Sequence, residues 1–234
     1  ILLNNCNQYF KIIKNKIVTN GSGRFFPSSG IIVRNSICQN SLIANNFVYY
    51  TGGTGLSVSY SKNINIYFNT IQSLYNYYSA NAANLNIDSC YDCKVINNIF
   101  GGRNTVIKNN FNTDLASDFN SFYPKDEEVL PDMFYFNGTG YDSLDQFRAA
   151  SNNDIHSSVN IVFFTSDTDL HLHGASTGDT DLIGIPISGI TDDIDGNPRN
   201  PLFPYRGADE ADTPLPVELN SFSFAIDGNN VMLH

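Results

Sequence analysis

The chain has 234 residues, 41% of them hydrophobic, no tryptophan and a net charge of −10. That apolar share suits one sizeable core or one elongated domain with a smaller neighbour, and no apolar run approaches the roughly 20 residues of a membrane-spanning helix. Residues 1–120 hold nine Lys or Arg against four Asp or Glu, and residues 121–234 hold four against nineteen; so small and unclustered a basic surplus excludes nucleic acid as a partner and predicts two regions meeting near residue 120.

Along the first region, short strands are predicted at Ile1-Leu2-Leu3, Ile31-Ile32-Val33, Leu56-Ser57-Val58 and Leu85-Asn86-Ile87, separated by Gly/Asn/Ser turns such as "TGGTG". Between them an apolar-x-Asn-x-apolar pattern recurs, centred on Asn15, Asn45, Asn69, Asn97 and Asn109. Strands this short do not stand alone, and no helical periodicity joins them. Stacked as a solenoid, they form parallel sheets with one coil per repeat. A buried amide is costly unless its donors and acceptor are met. In a solenoid, copies at one inward corner bond one another, so the five asparagines are expected to form a ladder.

Four cysteines lie here. Cys38 and Cys90 each stand seven residues before an expected ladder asparagine, and Cys90-x-x-Cys93 lacks further zinc ligands nearby. Buried thiols or one local disulfide are expected rather than a metal site. The excursion "SLYNYYSANAAN" carries Tyr75, Tyr77 and Tyr78, an aromatic shelf suited to sugar faces, or else a cluster folded back on the coil. Lys62, Lys94 and Arg103 could add cationic contacts to an anionic polymer.

After residue 120 the chain turns acidic. Ser143 with Gln146 forms an S-x-x-Q capping box, predicting a helix over residues 144–150; "VNIVFFTSDTDLHLH" reads as strand. Asp192, Asp193, Asp195 and Asn197 gather oxygens around a glycine turn, so Ca²⁺ is the candidate ion, against a plain hydrogen-bonded turn capped by Arg199. His171 and His173 share a strand face with no third ligand evident. No other cofactor is indicated.

The units "GIIVRNSICQNSLIANNFV", "GLSVSYSKNINIYFNTI" and "LNIDSCYDCKVINNIF" resemble the coils of right-handed parallel β-helix proteins of bacterial secreted and surface type. "TDDIDGNPRNPLFPYRGADE" resembles the segment that closes many of them, and "TPLPVELNSFSFAIDGNNVMLH" the start of an immunoglobulin-like module preceding a type IX sorting domain. The resemblance implies an all-β solenoid over residues 1–120, a closing region over 121–212 with one short helix, and the linker and first strands of a truncated module over 213–234. It also implies a secreted, surface-attached fragment of a longer protein. Its partners would be extracellular polysaccharide, other surface proteins and the type IX secretion machinery.

Pectin-type hydrolases on this fold use clustered carboxylates; Asn112-Thr113-Asp114 matches one of their motifs, but the companion motifs are absent. Lyases on this fold use a Lys or Arg base with a second cation, and Lys62, Lys94, Arg103 and Lys108 qualify by charge alone. The expected function is therefore non-catalytic binding or organisation of extracellular polysaccharide, or an adhesive or structural surface role. The alternative is a polysaccharide lyase or glycoside hydrolase acting on an acidic glycan.

Overall fold

A computed structural model gives the fold and describes residues 1–19, 29–50, 53–73, 83–102, 105–124, 132–211, 224–227 and 230–233. Three strands make each coil. They are β1 (Leu2–Asn4), β2 (Lys11–Ile13) and β3 (Lys16–Thr19); β4 (Ile31–Arg34), β5 (Ile37–Ala44) and β6 (Phe47–Tyr50); β7 (Thr54–Ser59), β8 (Lys62–Tyr67) and β9 (Thr70–Ser73); β10 (Ala83–Asp88), β11 (Lys94–Ile96) and β12 (Ile99–Gly102); and β13 (Thr105–Asn110), β14 (Ala116–Asp118) and β15 (Ser121–Pro124). Then follow β16 (Phe134–Phe136), β17 (Thr139–Tyr141), helix α1 (Leu144–Ser151) and β18 (Ser158–Val159). Equivalent strands stack in three sheets: β1-β4-β7-β10-β13-β16-β17, β2-β5-β8-β11-β14, and β3-β6-β9-β12-β15-β18. Within these three sheets all pairings are parallel except β16 with β17. The chain is an all-β parallel solenoid.

Register puts like on like. Ile12, Ile43, Ile66 and Val95 stack in the second sheet, and Val48, Ile71, Phe100 and Phe122 in the third. All are buried, and each contributes about 1.5–3 kcal/mol by leaving water.

The corners repeat too. Entering the third sheet, each coil places one residue in the left-handed region: Lys14, Asn45, Phe68, Asn97 and Phe119, with φ of 52–61°. The next residue points inward, and these residues form the ladder: Asn15, Asn46, Asn69, Asn98 and Asn120. The Nδ2 of each donates to Oδ1 of its successor at 2.8, 2.8, 3.0 and 3.1 Å. The same Oδ1 accepts the backbone N–H of the preceding rung.

Asn45 and Asn97 are therefore not rungs. Asn is one of the few residues that tolerates the left-handed region, and in the Asn45-Asn46 and Asn97-Asn98 pairs the first residue takes the turn and the second the ladder. Asn109 is not a rung either: it lies in the first sheet, stacked between Ile87 and Phe136, with its Oδ1 taken by Asn112 at 2.8 Å.

The corner after the first sheet follows the same rule with smaller side chains. Left-handed Asn5, Asn35, Tyr60, Ser89 and Phe111 precede Cys6, Ser36, Ser61, Cys90 and Asn112. The N–H of Cys6, Ser36 and Cys90 donates to the side chain one coil on. Cys90 thus fills a serine position and does not share a register with Cys38, because β5 carries an irregularity between Ile37 and Ser41. All four cysteines are free thiols.

Parallel pairing continues beyond residue 120 through β15, β16 and β18. Helix α1 runs one residue beyond its expected end. Ser143 accepts Gln146 N–H, and left-handed Asn152 closes the helix. Phe147 stacks on Phe134 at 5.3 Å and Phe134 packs edge-on to Phe122 at 5.1 Å, so the helix plugs the end of the coil interior.

The segment 160–211 does something different from the expected end-closure: it crosses the outer face of the third sheet. For that reason β6, β9 and β12 are buried on both faces. Within it the expected strand over 159–173 gives only Val159 of β18 and a single bridge, Phe164 with Leu172. Gly207, at φ +86°, seats its backbone against the sheet; a Cβ there would stand 2.7 Å from Thr70 Oγ1 and Ile99 Cδ1. Residues Phe224–Asp227 (β19) and Asn230–Leu233 (β20) pair as an antiparallel hairpin. Among the described residues no helix is long and apolar enough to cross a membrane.

Candidate functional site

With the third sheet covered, the outward positions of the second sheet are mostly half-buried or exposed among the described residues. On the second, one outward column runs Lys11, Leu42, Asn65, Lys94, Ala116 in register. Adjacent strands lie about 4.8 Å apart, so the two lysines bracket roughly 14 Å of face. A cleft of about 260 Å³ opens here, lined by Tyr9, Lys11, Asn40, Leu42, Asn65 and Tyr67 and roofed by residues 187–190.

Lys11 Nζ stands 5.8 Å from the centre of the exposed Tyr9 ring. Tyr67 donates its hydroxyl to Asn65 Oδ1 at 3.0 Å, and burial pushes its phenol up to about 12. The cleft offers an aromatic face, amides and a cation but no carboxylate or imidazole among its lining residues. Such groups can meet the ring faces, hydroxyls and anionic groups of a polar chain.

The sequence-predicted residues do not all gather here. Lys94 stands in the column, one strand beyond Asn65. Lys62 lies at a corner, bridged to Tyr91 and paired with Asp92 at 3.3 Å. Lys108 lies over the Tyr135 ring at 4.9 Å, and burial lowers its pKa. Tyr75, Tyr77, Tyr78 and Arg103 lie outside the described residues. Tyr9, Lys11, Asn40 and Tyr67 were missed because their alignment depends on coil register; the signal was Lys11 and Lys94 each standing just before the inward apolar residue of its strand.

The acidic turn is also rearranged. Asp193 is buried; its Oδ1 accepts three backbone N–H groups, from Asp195, Gly196 and Asn197, and its Oδ2 accepts Glu210 N–H. Asp192 pairs with Lys14 at 2.7 Å. Asp195 instead faces His171 Nε2 at 2.5 Å and Lys16 at 3.1 Å. The three carboxylates therefore do not converge on one ion.

The covering segment is riveted to the coils by side chains from both partners. Asn45 donates to Asp192 O and accepts from Arg199 Nη2, both within 2.9 Å; Asn97 makes two bonds to the Ile185 backbone. The Arg199 guanidinium also bonds Glu210 at 3.0 Å and stacks 4.0 Å over Phe68. Arg206 reaches Asn120 O, Ser121, Ser158 and His156 O, and burial brings its pKa down to about 10.

A second hollow of about 500 Å³ at the plugged end is lined by Met133, residues 142–145, Arg148 and residues 157–159. The Arg148 guanidinium there is engaged by Asp154 O, Ser157 O and Asp145.

Neither a family model, nor a curated protein, nor a solved structure matches this chain.

Proposed function

We propose that this protein is a secreted, cell-surface solenoid that binds or organises extracellular polysaccharide without cleaving it. The observation carrying this reading is the cleft on the second sheet: a tyrosine face, two amides and a lysine in line with a second lysine, with no carboxylate or imidazole among the lining residues. A linear glycan laid across the strands meets equivalent positions at each coil, so a rigid one-dimensional scaffold suits a polymer better than a compact ligand. Delivery by the type IX route rests on the resemblance of the segment from Thr213 onward.

The test is incubation with polygalacturonate and dextran, with and without Ca²⁺, reading bound polymer and unsaturated-uronate absorbance together. Binding without product supports the reading. Product release would replace it with a polysaccharide lyase, and release of reducing ends alone with a hydrolase.

A further inference from the structure

Where the covering segment passes the first two coils, three side chains from separate stretches converge. His171 precedes the Phe164–Leu172 bridge, Asp195 sits on the glycine turn, and Asp209 lies just beyond the buried Gly207. One donor atom of each lies within 4.8 Å of the others. Asp209 is 7% exposed. Its Oδ2 accepts Leu172 N–H at 2.8 Å, and among the described residues no donor reaches its other oxygen. Burial is the largest influence on this carboxylate, and Asp193 and Asp195 also act on it through space.

His171 is presented as a ligand would be. Asp169 holds Nδ1, and the Phe47 ring packs edge-on at 4.9 Å. A histidine ligand commonly gives its second nitrogen to a carboxylate, which fixes the tautomer and turns the other nitrogen toward the metal. Here Nε2 faces Asp195 Oδ2.

We propose that His171, Asp195 and Asp209 form a binding site for a divalent transition ion of the Zn²⁺ class, with Asp169 orienting the imidazole. One nitrogen and two carboxylate oxygens suit a borderline cation better than Ca²⁺, which takes six to eight oxygens. Zinc bonds of about 2.0–2.2 Å place ligand atoms roughly 3–3.5 Å apart, a separation these side chains reach by rotation. The bond between His171 and Asp195 opens as the ion enters. Asp195 is 40% exposed and gives the ion a path; the remaining positions fall to water. Lys16, 3.1 Å from Asp195 Oδ1, is the competing cation. Such an ion would clamp the covering segment to itself over β3 and β6, independently of whether the second sheet binds a glycan.

The test is calorimetric titration of the chelator-treated full chain with Zn²⁺, backed by visible absorption with Co²⁺. The expected result is one ion per chain, with affinity reduced 10-fold or more in His171→Gln and Asp209→Asn. Asp169→Asn should weaken binding less, and Lys16→Ala should strengthen it several-fold, an effect that a plain ion-pair cluster would not produce. Asp209→Asn keeps an acceptor for Leu172 N–H; if it does not fold, Asp195→Asn, on the exposed side, carries the same test. No binding of Zn²⁺ or Co²⁺ at millimolar concentration, or binding indifferent to His171→Gln and Asp195→Asn, would overturn the site. Ca²⁺ binding that survives His171→Gln would also overturn it, because the imidazole would then not be a ligand.

Discussion

Asn120 donates from Nδ2 to Asp154 Oδ1 at 3.0 Å, and with that bond the asparagine ladder ends. Asn46, Asn69 and Asn98 before it both accept and donate through their side-chain amides, so the amide dipoles align along the solenoid. Asp154 only accepts: its Oδ1 also takes the Ser157 hydroxyl at 2.7 Å, and its buried Oδ2 has no partner. Burial, the largest influence, raises its pKa above the ordinary carboxyl value despite these bonds.

A raised folded-state pKa means that the folded chain holds the proton more tightly than the unfolded one. The resulting stability is fully present below the ordinary Asp pKa of about 3.9 and is lost as pH rises through the folded value. Asp154→Asn keeps the acceptor and removes the charge. It should match the parent near pH 4 and exceed it by about 1–3 kcal/mol at pH 8, as read by urea denaturation at both values. An equal gap at the two pH values would show that Asp154 is not protonated in the fold.

Within the ladder, Asn69→Ala removes the acceptor for both the N–H and Nδ2 of Asn46 and the donor to Asn98. Each stranded buried group costs about 1–3 kcal/mol, so a loss of at least about 3 kcal/mol is expected. Asn45→Ala, one residue from a rung, should instead act locally. It strips a partner from Arg199 and from Asp192 O, and hydrogen exchange should quicken over residues 183–211 while the coil cores stay protected.

Tyr60 is exposed and held at φ +48°, in the turn column where other coils carry Asn5 and Asn35. A bulky residue in the left-handed region costs roughly 1 kcal/mol more than Asn. Tyr60→Asn should therefore raise the melting temperature by about 2–4 °C. A decrease would mean that the ring makes a contact worth more than the strain.

Thiol titration gives a simpler check. With all four cysteines free, the unfolded chain prepared without reductant should yield four reactive thiols per molecule.

Much of this fold was legible because the solenoid repeats its rules. Short strands, turn residues and recurring asparagines could be read without knowing their order in space. The ladder register was not, and the reason is local. A pattern symmetric about one asparagine accepts either member of Asn45-Asn46 or Asn97-Asn98, and only the left-handed turn separates them. Asn120 escaped because Ser117 and Asp118 stand where the other coils carry Ile, Val, Ala or Tyr, whereas "IKNNF" imitates a rung inside the first sheet. The roof of the cleft and the seat of the covering segment depend on contacts between residues about 150 to 180 positions apart, such as Lys14 with Asp192, and the His171 cluster joins three separate stretches of that segment. No local pattern encodes those.

The central claim, that the second-sheet column holds a polysaccharide, is tested most directly by the affinity for polygalacturonate of Lys11→Ala, Lys94→Ala and Tyr9→Ala beside Lys62→Ala. The account predicts at least a tenfold loss for the Lys11 and Lys94 variants, a smaller loss for Tyr9, and no change for Lys62, which lies at the corner with Asp92. Equal affinity across all four would contradict it.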